Sequence, residues 1–91
     1  MGKYKVIIKP TAEKDLLNHK KSGAISSIKK ILKILNELQE HPQYGTGNPE
    51  ELKYDLKDYW SRRINKKDRL IYQIQENTVT VFVVSAMGHY E

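Results

Sequence analysis

A change in apolar spacing at Pro42 divides the chain into a helical part and a strand-forming part. Over residues 24–41, apolar side chains recur at intervals of three and four, at Ile25, Ile28, Ile31, Leu32, Leu35 and Leu38. This spacing is typical of an amphipathic helix with one buried face. Because proline cannot continue a helix, the pattern predicts a helix over 24–41 that ends at Pro42.

The N-terminal segment predicts a strand and a shorter helix. Residues 4–9 mix tyrosine, valine and isoleucine and are followed by Pro10, which is typical of a β-strand. Thr11 can then cap a helix over about residues 12–20. Acidic side chains lie near the positive end of this helix, and Gly23 lies beyond its negative end.

Further strand candidates follow a loop at 41–49 that is rich in glycine, proline and asparagine. They cover residues 51–56, 59–65, 69–75 and 78–86, with short polar turns between them. Short connections between consecutive strands favour antiparallel pairing. We therefore predict one small α+β domain over residues 1–91, ordered β-α-α-β-β-β(-β), with two N-terminal helices packed on a mainly antiparallel twisted sheet.

Charge and composition limit the partners and cofactors of the chain. Lys and Arg number 16 against 11 Asp and Glu, for a formal net charge of +5. This balance favours nucleic acid or an acidic protein as partner. The absence of cysteine excludes disulfides and thiolate metal sites, so a reducing cytoplasm is the expected location. No apolar run approaches the ~20 residues of a membrane span. His19 and His41 are expected to be ordinary surface residues, and the isolated histidines predict no metal site.

All the arginines lie in one short window, at Arg62, Arg63 and Arg69, whereas the lysines are scattered along the chain. A guanidinium group is planar, stays charged, and binds phosphate through two hydrogen bonds. If residues 66–68 form a three-residue hairpin loop, Arg63 opposes Ile71 and lies diagonal to Arg69 on one face of the sheet. This arrangement predicts a phosphate clamp, and two solvated arginines are the alternative.

Strand alternation places Arg62 on the opposite face, toward the helices, together with Trp60 and Ile64. There we expect Arg62 to pack its aliphatic stem and to reach outward with its charged head. The same alternation predicts a core that also includes Leu70, Tyr72 and Ile74.

Candidate acid and base groups lie on either side of the arginine window. Glu50 and Glu51 precede a strand beside the arginine hairpin, so either carboxylate can approach Arg63 and be held ionised. Solubility or a surface ion pair is the alternative for these glutamates. At the other end, His89 and Tyr90 follow a long apolar strand. An imidazole there can titrate near neutral pH and act as acid or base, unless the tail is disordered.

Several spaced motifs carry a resemblance to a known family. They are GTGNPEELK at 45–53, YWSRRI at 59–64, RLIY at 69–72 and the tail pair His89-Tyr90. In this order they resemble the Txe/YoeB toxins of the RelE superfamily. The resemblance implies the RelE-like β-α-α-β-β-β fold. It also implies a bacterial toxin that enters the ribosomal A site, cuts mRNA and is silenced by an antitoxin.

The resemblance also implies roles for individual residues. Glu50 is then the general base, and Arg63 and Arg69 stabilise a phosphorane-like transition state. His89 is the general acid, and Tyr90 places the substrate or stacks on a base. We further assign RNA-binding contacts to Lys53, Tyr59 and Arg62. No metal or cofactor is required.

The expected partners are mRNA and the ribosome with its rRNA, a cognate acidic antitoxin and a second copy of the chain, with no membrane. Two alternatives share the same fold and remain open. One is a module that binds RNA without cutting it, and the other is a module that binds only an antitoxin. The tail departs from the aromatic-His-Tyr ending of the family, since Gly88 precedes the histidine and Glu91 follows the tyrosine.

Overall fold

A computed structural model describes residues 3–52 and 58–88 of the chain. Two helices lie between the first strand and the remaining strands. In chain order the elements are β1 (Lys5–Ile8), α1 (Pro10–Ser22), α2 (Ile25–Leu38), β2 (Glu50–Glu51), β3 (Tyr59–Arg63), β4 (Arg69–Gln75) and β5 (Thr80–Ser85).

The strands form a sheet in the order β1-β5-β4-β3-β2. Its neighbouring strands pair antiparallel, except that β1 pairs with β5 in parallel. The parallel pair follows from the two helices, which carry the chain across the sheet between β1 and the later hairpins. The predicted α+β class, with two N-terminal helices on a mainly antiparallel sheet, is confirmed.

The core lies between the helices and one face of this sheet. Helix α1 contributes Ala12, and α2 contributes the buried side chains of Ile31, Ile34 and Leu38. The sheet contributes alternate residues, namely Ile64, Leu70, Tyr72, Ile74, Val81 and Val83, with Trp60 packed at the edge of the cluster. The core predicted from strand alternation is therefore confirmed. We call this side of the sheet the helix-side face.

Both helices differ at both ends from their predicted limits, α1 being longer and α2 shorter than predicted. Helix α1 begins at Pro10, with Lys9 as its N-cap and no side-chain capping bond, so the predicted cap at Thr11 is wrong. Proline suits this first position because its fixed φ is helical and its missing N–H leaves no donor unsatisfied. Helix α2 ends at Leu38, before the predicted stop at Pro42.

The hairpin between β3 and β4 has a different register from the predicted one. Arg63 pairs directly with Arg69, so residues 64–68 form the connection. The side-chain oxygen of Asn65 accepts hydrogen bonds from the backbone N–H groups of Lys67 and Asp68, at 2.9 and 2.8 Å. Asn65 thus closes a turn instead of extending the strand. The two arginines therefore face each other directly, whereas the predicted contact was diagonal.

Candidate functional site

One face of the sheet, opposite the helices, collects most of the predicted site residues that the structure describes. Tyr59 and Arg63 lie on the same side of β3. Arg69 on β4 lies opposite Arg63, and Glu50 on β2 pairs with Ser61, which lies between Tyr59 and Arg63 on that side. Residues paired across antiparallel strands point to the same side. The sheet thus brings Glu50, Tyr59, Arg63 and Arg69 to one surface, which we call the open face.

The floor of the open face is buried, whereas its charged groups are accessible. Ser61 and Ile71 pair across β3 and β4, and each is only 2% exposed. Glu50 and Arg63 are exposed, and Arg69 is half-buried. A bound anion can therefore reach both guanidinium groups without disturbing the core.

The paired arginines make the open face a candidate anion site. Like charges directly opposite each other on neighbouring strands are destabilising, and an anion between them relieves the repulsion. Glu50 shares the surface with Arg63, and these two described side chains form no ion pair with each other. The carboxylate therefore remains accessible to a substrate hydroxyl.

The backbone of the loop before β2 lies tightly against β3. The carbonyl of Gly47 accepts a hydrogen bond of 2.7 Å from the N–H of Arg63. Gly47 has φ +87°, and a Cβ at this position would lie 2.8 Å from the carbonyl oxygen of Arg63. Only glycine permits both the left-handed backbone and this close approach. The loop then leads to Glu50 three residues later.

Arg62 occupies the opposite face and is enclosed in the protein. Its side chain is 0% exposed. The guanidinium donates to Glu37 Oε1 at 2.6 Å and to the carbonyl oxygens of His41 and Tyr44 at 2.8 and 2.9 Å. Its Nε donates to the hydroxyl of Tyr72 at 3.1 Å. The assignment of Arg62 to RNA binding is therefore wrong, and its head points inward instead of reaching outward.

Glu37 and Tyr72 complete this network around the loop. Thr46 donates to both carboxylate oxygens of Glu37, at 2.8 and 2.7 Å. Burial acts to raise the pKa of Glu37, but the bonds from Thr46 and Arg62 outweigh it and hold the pKa below its usual value. Burial raises the pKa of Tyr72 despite the nearby Arg62, so its protonated hydroxyl donates to the carbonyl of Pro42 at 2.6 Å.

Sequence reasoning missed Glu37, although a signal was present. Glu37 follows the buried Ile34 by three residues and precedes the buried Leu38. Residues three apart lie on the same side of a helix, so this carboxylate had to reach the buried face of α2. A charge at that position requires a buried partner, and Arg62 was the basic residue predicted on the facing side of the sheet.

The residues that follow β5 are held by polar side chains from α1 and from the loop between β3 and β4. His19 Nε2 lies 2.7 Å from the carbonyl oxygen of Ala86, and Asp15 accepts a 3.0 Å bond from the N–H of Ala86. Asp68 accepts a 3.0 Å bond from the N–H of Gly88. His19 is 2% exposed, so its prediction as a surface residue is wrong.

Three predicted site residues, Lys53, His89 and Tyr90, lie outside the described residues. His41 is half-buried, and its ring stacks on that of Tyr44 with centroids 4.4 Å apart. Over residues 3–52 and 58–88, no group of three His, Cys, Asp or Glu side chains is arranged to hold a metal ion. Within the same ranges, neither helix is long and apolar enough to cross a membrane.

The sequence matches a family of bacterial proteins over most of its length. Residues 9–90 match the model of a "YoeB-like toxin of bacterial type II toxin-antitoxin system". A relative named Toxin YoeB, from Mycobacterium bovis, is 39% identical over 62 residues, which cover 68% of this chain and 71% of the relative. These matches define the class of protein, which is the toxin of a bacterial type II toxin-antitoxin system.

Solved structures agree with the sequence matches. The YoeB/ParE toxin from Agrobacterium tumefaciens superposes with a TM-score of 0.85 at 27% identity, covering 94% of this chain and 99% of that one. A YoeB dimer from Staphylococcus aureus gives 0.79 at 29% identity, with 97% and 99% covered. A YoeB-YefM complex from the same species gives 0.75 at 31% identity, with 96% and 98% covered. The chain belongs to the YoeB-like toxin family of type II toxin-antitoxin systems.

Proposed function

We propose that this protein is a ribosome-dependent endoribonuclease that cuts mRNA in the ribosomal A site and so inhibits translation. The observation that carries the proposal is the meeting of Glu50, Arg63 and Arg69 on the open face. A carboxylate beside two permanent cations suits a reaction in which a proton is removed and negative charge grows on a phosphate. Family membership supports the toxin role.

The proposed reaction uses the 2′-hydroxyl of the RNA as the nucleophile. Glu50 takes the hydroxyl proton, and the oxygen attacks the adjacent phosphorus to form a 2′,3′-cyclic phosphate. The bond from phosphorus to the 5′-oxygen breaks, and His89 protonates that oxygen as it leaves. Arg63 and Arg69 offset the charge on the phosphoryl oxygens. Because DNA lacks the 2′-hydroxyl, the substrate is RNA.

The remaining site residues bind the substrate in this proposal. Tyr59 lies half-buried on the open face, two residues from Ser61, and is placed to contact a base or the sugar-phosphate backbone. Lys53 is proposed to contact a phosphate, and Tyr90 to position the substrate. The reaction is proposed to need no metal.

The proposed partners follow from charge and from the relatives. The net charge of +5 suits both rRNA and an acidic antitoxin. The Staphylococcus aureus relatives were solved as a YoeB dimer and as a YoeB-YefM complex. We propose that this chain likewise binds an antitoxin and a second copy of itself, acts in the cytoplasm, and forms one toxin domain over residues 1–91.

The test is 3′-end mapping of an mRNA positioned on bacterial ribosomes after addition of the intact protein or a variant. We expect A-site cuts that end in a cyclic phosphate. Glu50→Ala should lower the rate by about 10²–10⁴-fold, the usual contribution of a general base. Glu51→Ala is the matched control, because Glu51 is exposed and pairs with Trp60, and so points away from the open face.

The alternative functions predict other outcomes in the same experiment. Intact mRNA with ribosome-bound protein would indicate an RNA-binding module, and intact mRNA with antitoxin binding alone would indicate an interaction module. Equal losses for Glu50→Ala and Glu51→Ala would contradict the assignment of the base. Each variant is checked for folding by circular dichroism before its rate is interpreted.

A further inference from the structure

The last described residues of the chain, 86–88, are held by three side chains that the proposed reaction does not use. Asp15 and His19 on α1 bind the backbone of Ala86, and Asp68 in the β3–β4 loop binds the backbone of Gly88. We call these three residues the tail clamp. His19 and Asp68 are buried and Asp15 is half-buried, and together their bonds to one short backbone segment define its position.

The clamp places Gly88 beside an arginine of the open face. The carbonyl of Gly88 accepts a 3.0 Å hydrogen bond from the N–H of Arg69, while its N–H donates to Asp68. Gly88 has φ +76°, a left-handed conformation in which glycine carries no steric cost. Gly88 is the residue that directly precedes His89 in the sequence.

Asp68 is the clamp residue that connects the tail to the arginine hairpin. It is 5% exposed, and its carbonyl accepts hydrogen bonds from the N–H groups of Ile64 and Asn65. Burial acts to raise its pKa, but bonds from Gly88 and Asn65 outweigh this and keep the pKa low. The carboxylate is therefore ionised at neutral pH and makes a charge-assisted hydrogen bond to the tail.

We propose that Asp68 is a positioning residue, which anchors Gly88 and so supports the proposed general acid, His89, that follows it in the chain. This inference rests on the proposed function, because it assigns His89 the role of general acid. Asp15 and His19 support the same segment from α1 and so couple the helical layer to the site. The glycine that departs from the family tail then has a physical role as the residue that the clamp holds.

The test is a double-mutant cycle on cleavage by ribosome-bound protein, with Asp68→Ala, His89→Ala and the double variant. Removing a residue that orients a functional side chain usually lowers activity by about 10–100-fold. We therefore expect a loss of that size in kcat for Asp68→Ala, with KM little changed. When His89 is already alanine, Asp68→Ala should cost less than about 2-fold, because its effect acts through His89. If the loss of kcat in the double variant equals the product of the losses in the two single variants, the inference is overturned.

Two further variants separate positioning from simple loss of stability. Asp68→Asn keeps an acceptor oxygen without the charge, so it should fold and retain more activity than Asp68→Ala. Ile34→Val trims a buried core residue of α2 that is not part of the tail clamp, and it should leave kcat unchanged at a similar loss of stability. An equal loss of kcat in Ile34→Val would show that stability alone controls the rate.

Amide hydrogen exchange supplies a readout that does not depend on activity. The Gly88 amide should be protected in the intact protein and should exchange at least tenfold faster in Asp68→Ala. Rapid exchange in the intact protein would overturn the clamp itself. If instead the Gly88 amide is protected but the intact protein cuts no RNA, or His89→Ala is fully active, the proposed function fails and this positioning role fails with it.

Discussion

Arg62 and Arg63 are neighbours in the chain, but the two faces of β3 give them opposite environments. Arg62 lies on the helix-side face, fully enclosed, with its charge matched by Glu37 and by loop carbonyls. Arg63 lies on the open face, exposed and opposite another arginine. Arg62 therefore stabilises the structure, whereas Arg63 is available for a ligand.

The difference follows from strand geometry combined with the chemistry of burial. Successive residues of a strand point to opposite faces, so adjacent identical side chains must enter different environments. On the buried face, a charge is tolerated only if it is paired and fully hydrogen-bonded. On the open face, a charge keeps its hydration until a substrate displaces the water. We therefore expect mutation of Arg62 and mutation of Arg63 to have different effects.

The largest expected effect is that of Arg62→Ala on stability. The change leaves the carboxylate of Glu37, whose side chain is 15% exposed, without its cation, and breaking a largely buried pair in this way typically costs about 3–5 kcal/mol. A chain of this length has a total stability of about 5–14 kcal/mol, so this loss is a large share of it and the urea midpoint should fall sharply. An unchanged urea midpoint would contradict the structural role of Arg62.

Arg63→Ala should produce the reverse pattern. We expect the free energy of unfolding to change by no more than about 0.5 kcal/mol, since the side chain is exposed. Cleavage should fall by about 10²–10³-fold, the usual loss for one group that stabilises transition-state charge. The measurement pairs urea unfolding with 3′-end mapping on the same preparation. A large loss of stability with normal cleavage would reverse the assignment of the two arginines.

Gly47→Ala and Gly88→Ala compare the backbone supports of the site. At Gly47, a methyl group meets the backbone of Arg63 at 2.8 Å and adds overpacking to left-handed strain, so we expect a loss of about 2–4 kcal/mol. At Gly88, nothing lies within 4 Å of the new Cβ, and strain alone should cost about 1–2 kcal/mol. Thermal unfolding of both variants checks the order, which would be wrong if Gly88→Ala were the more damaging.

The smallest expected effect is the contribution of one carboxylate to acid unfolding. The folded pKa of Glu37 lies below its usual value of 4.5, so its stabilising effect is present above that pH. The effect is lost as pH falls through the folded pKa. Glu37→Gln should therefore be less stable at neutral pH and should lose less stability than the intact protein between pH 7 and 2. The measurement is the free energy of unfolding in urea at each pH, and an equal fall for both proteins between pH 7 and 2 would contradict this linkage.

Much of the fold could be predicted from local pattern. The limits of β4, at 69–75, agree with the structure because they depend on the pattern along a single element. The predicted face of α2 is only partly correct, since Ile25 and Leu32 are exposed whereas Ile34 is buried. The sharing of one face by Arg63 and Arg69 was also predicted, since strand alternation requires it. The hairpin register was not, because the turn is closed by the side chain of Asn65 and not by loop length alone.

The candidate site divides in the same way. Glu50, Arg63 and Arg69 were predicted as a group, and the structure places all three on the open face. The roles of Glu37, His19 and Asp68 were missed. Glu37 was missed despite its helical spacing, whereas His19 and Asp68 depend on partners that no local pattern identifies, such as Ala86, which is 67 residues from His19.

The sequence by itself determined the order of the elements, the helix-facing side of β3 and β4 and the separation of Arg62 from Arg63. These features follow from periodicity, which acts between neighbouring residues. Only the tertiary structure decided that Arg62 turns inward to Glu37, 25 residues away, and that Asp68 anchors Gly88, 20 residues away. Those contacts join distant parts of the chain, and their geometry exists only after the helices have packed on the sheet.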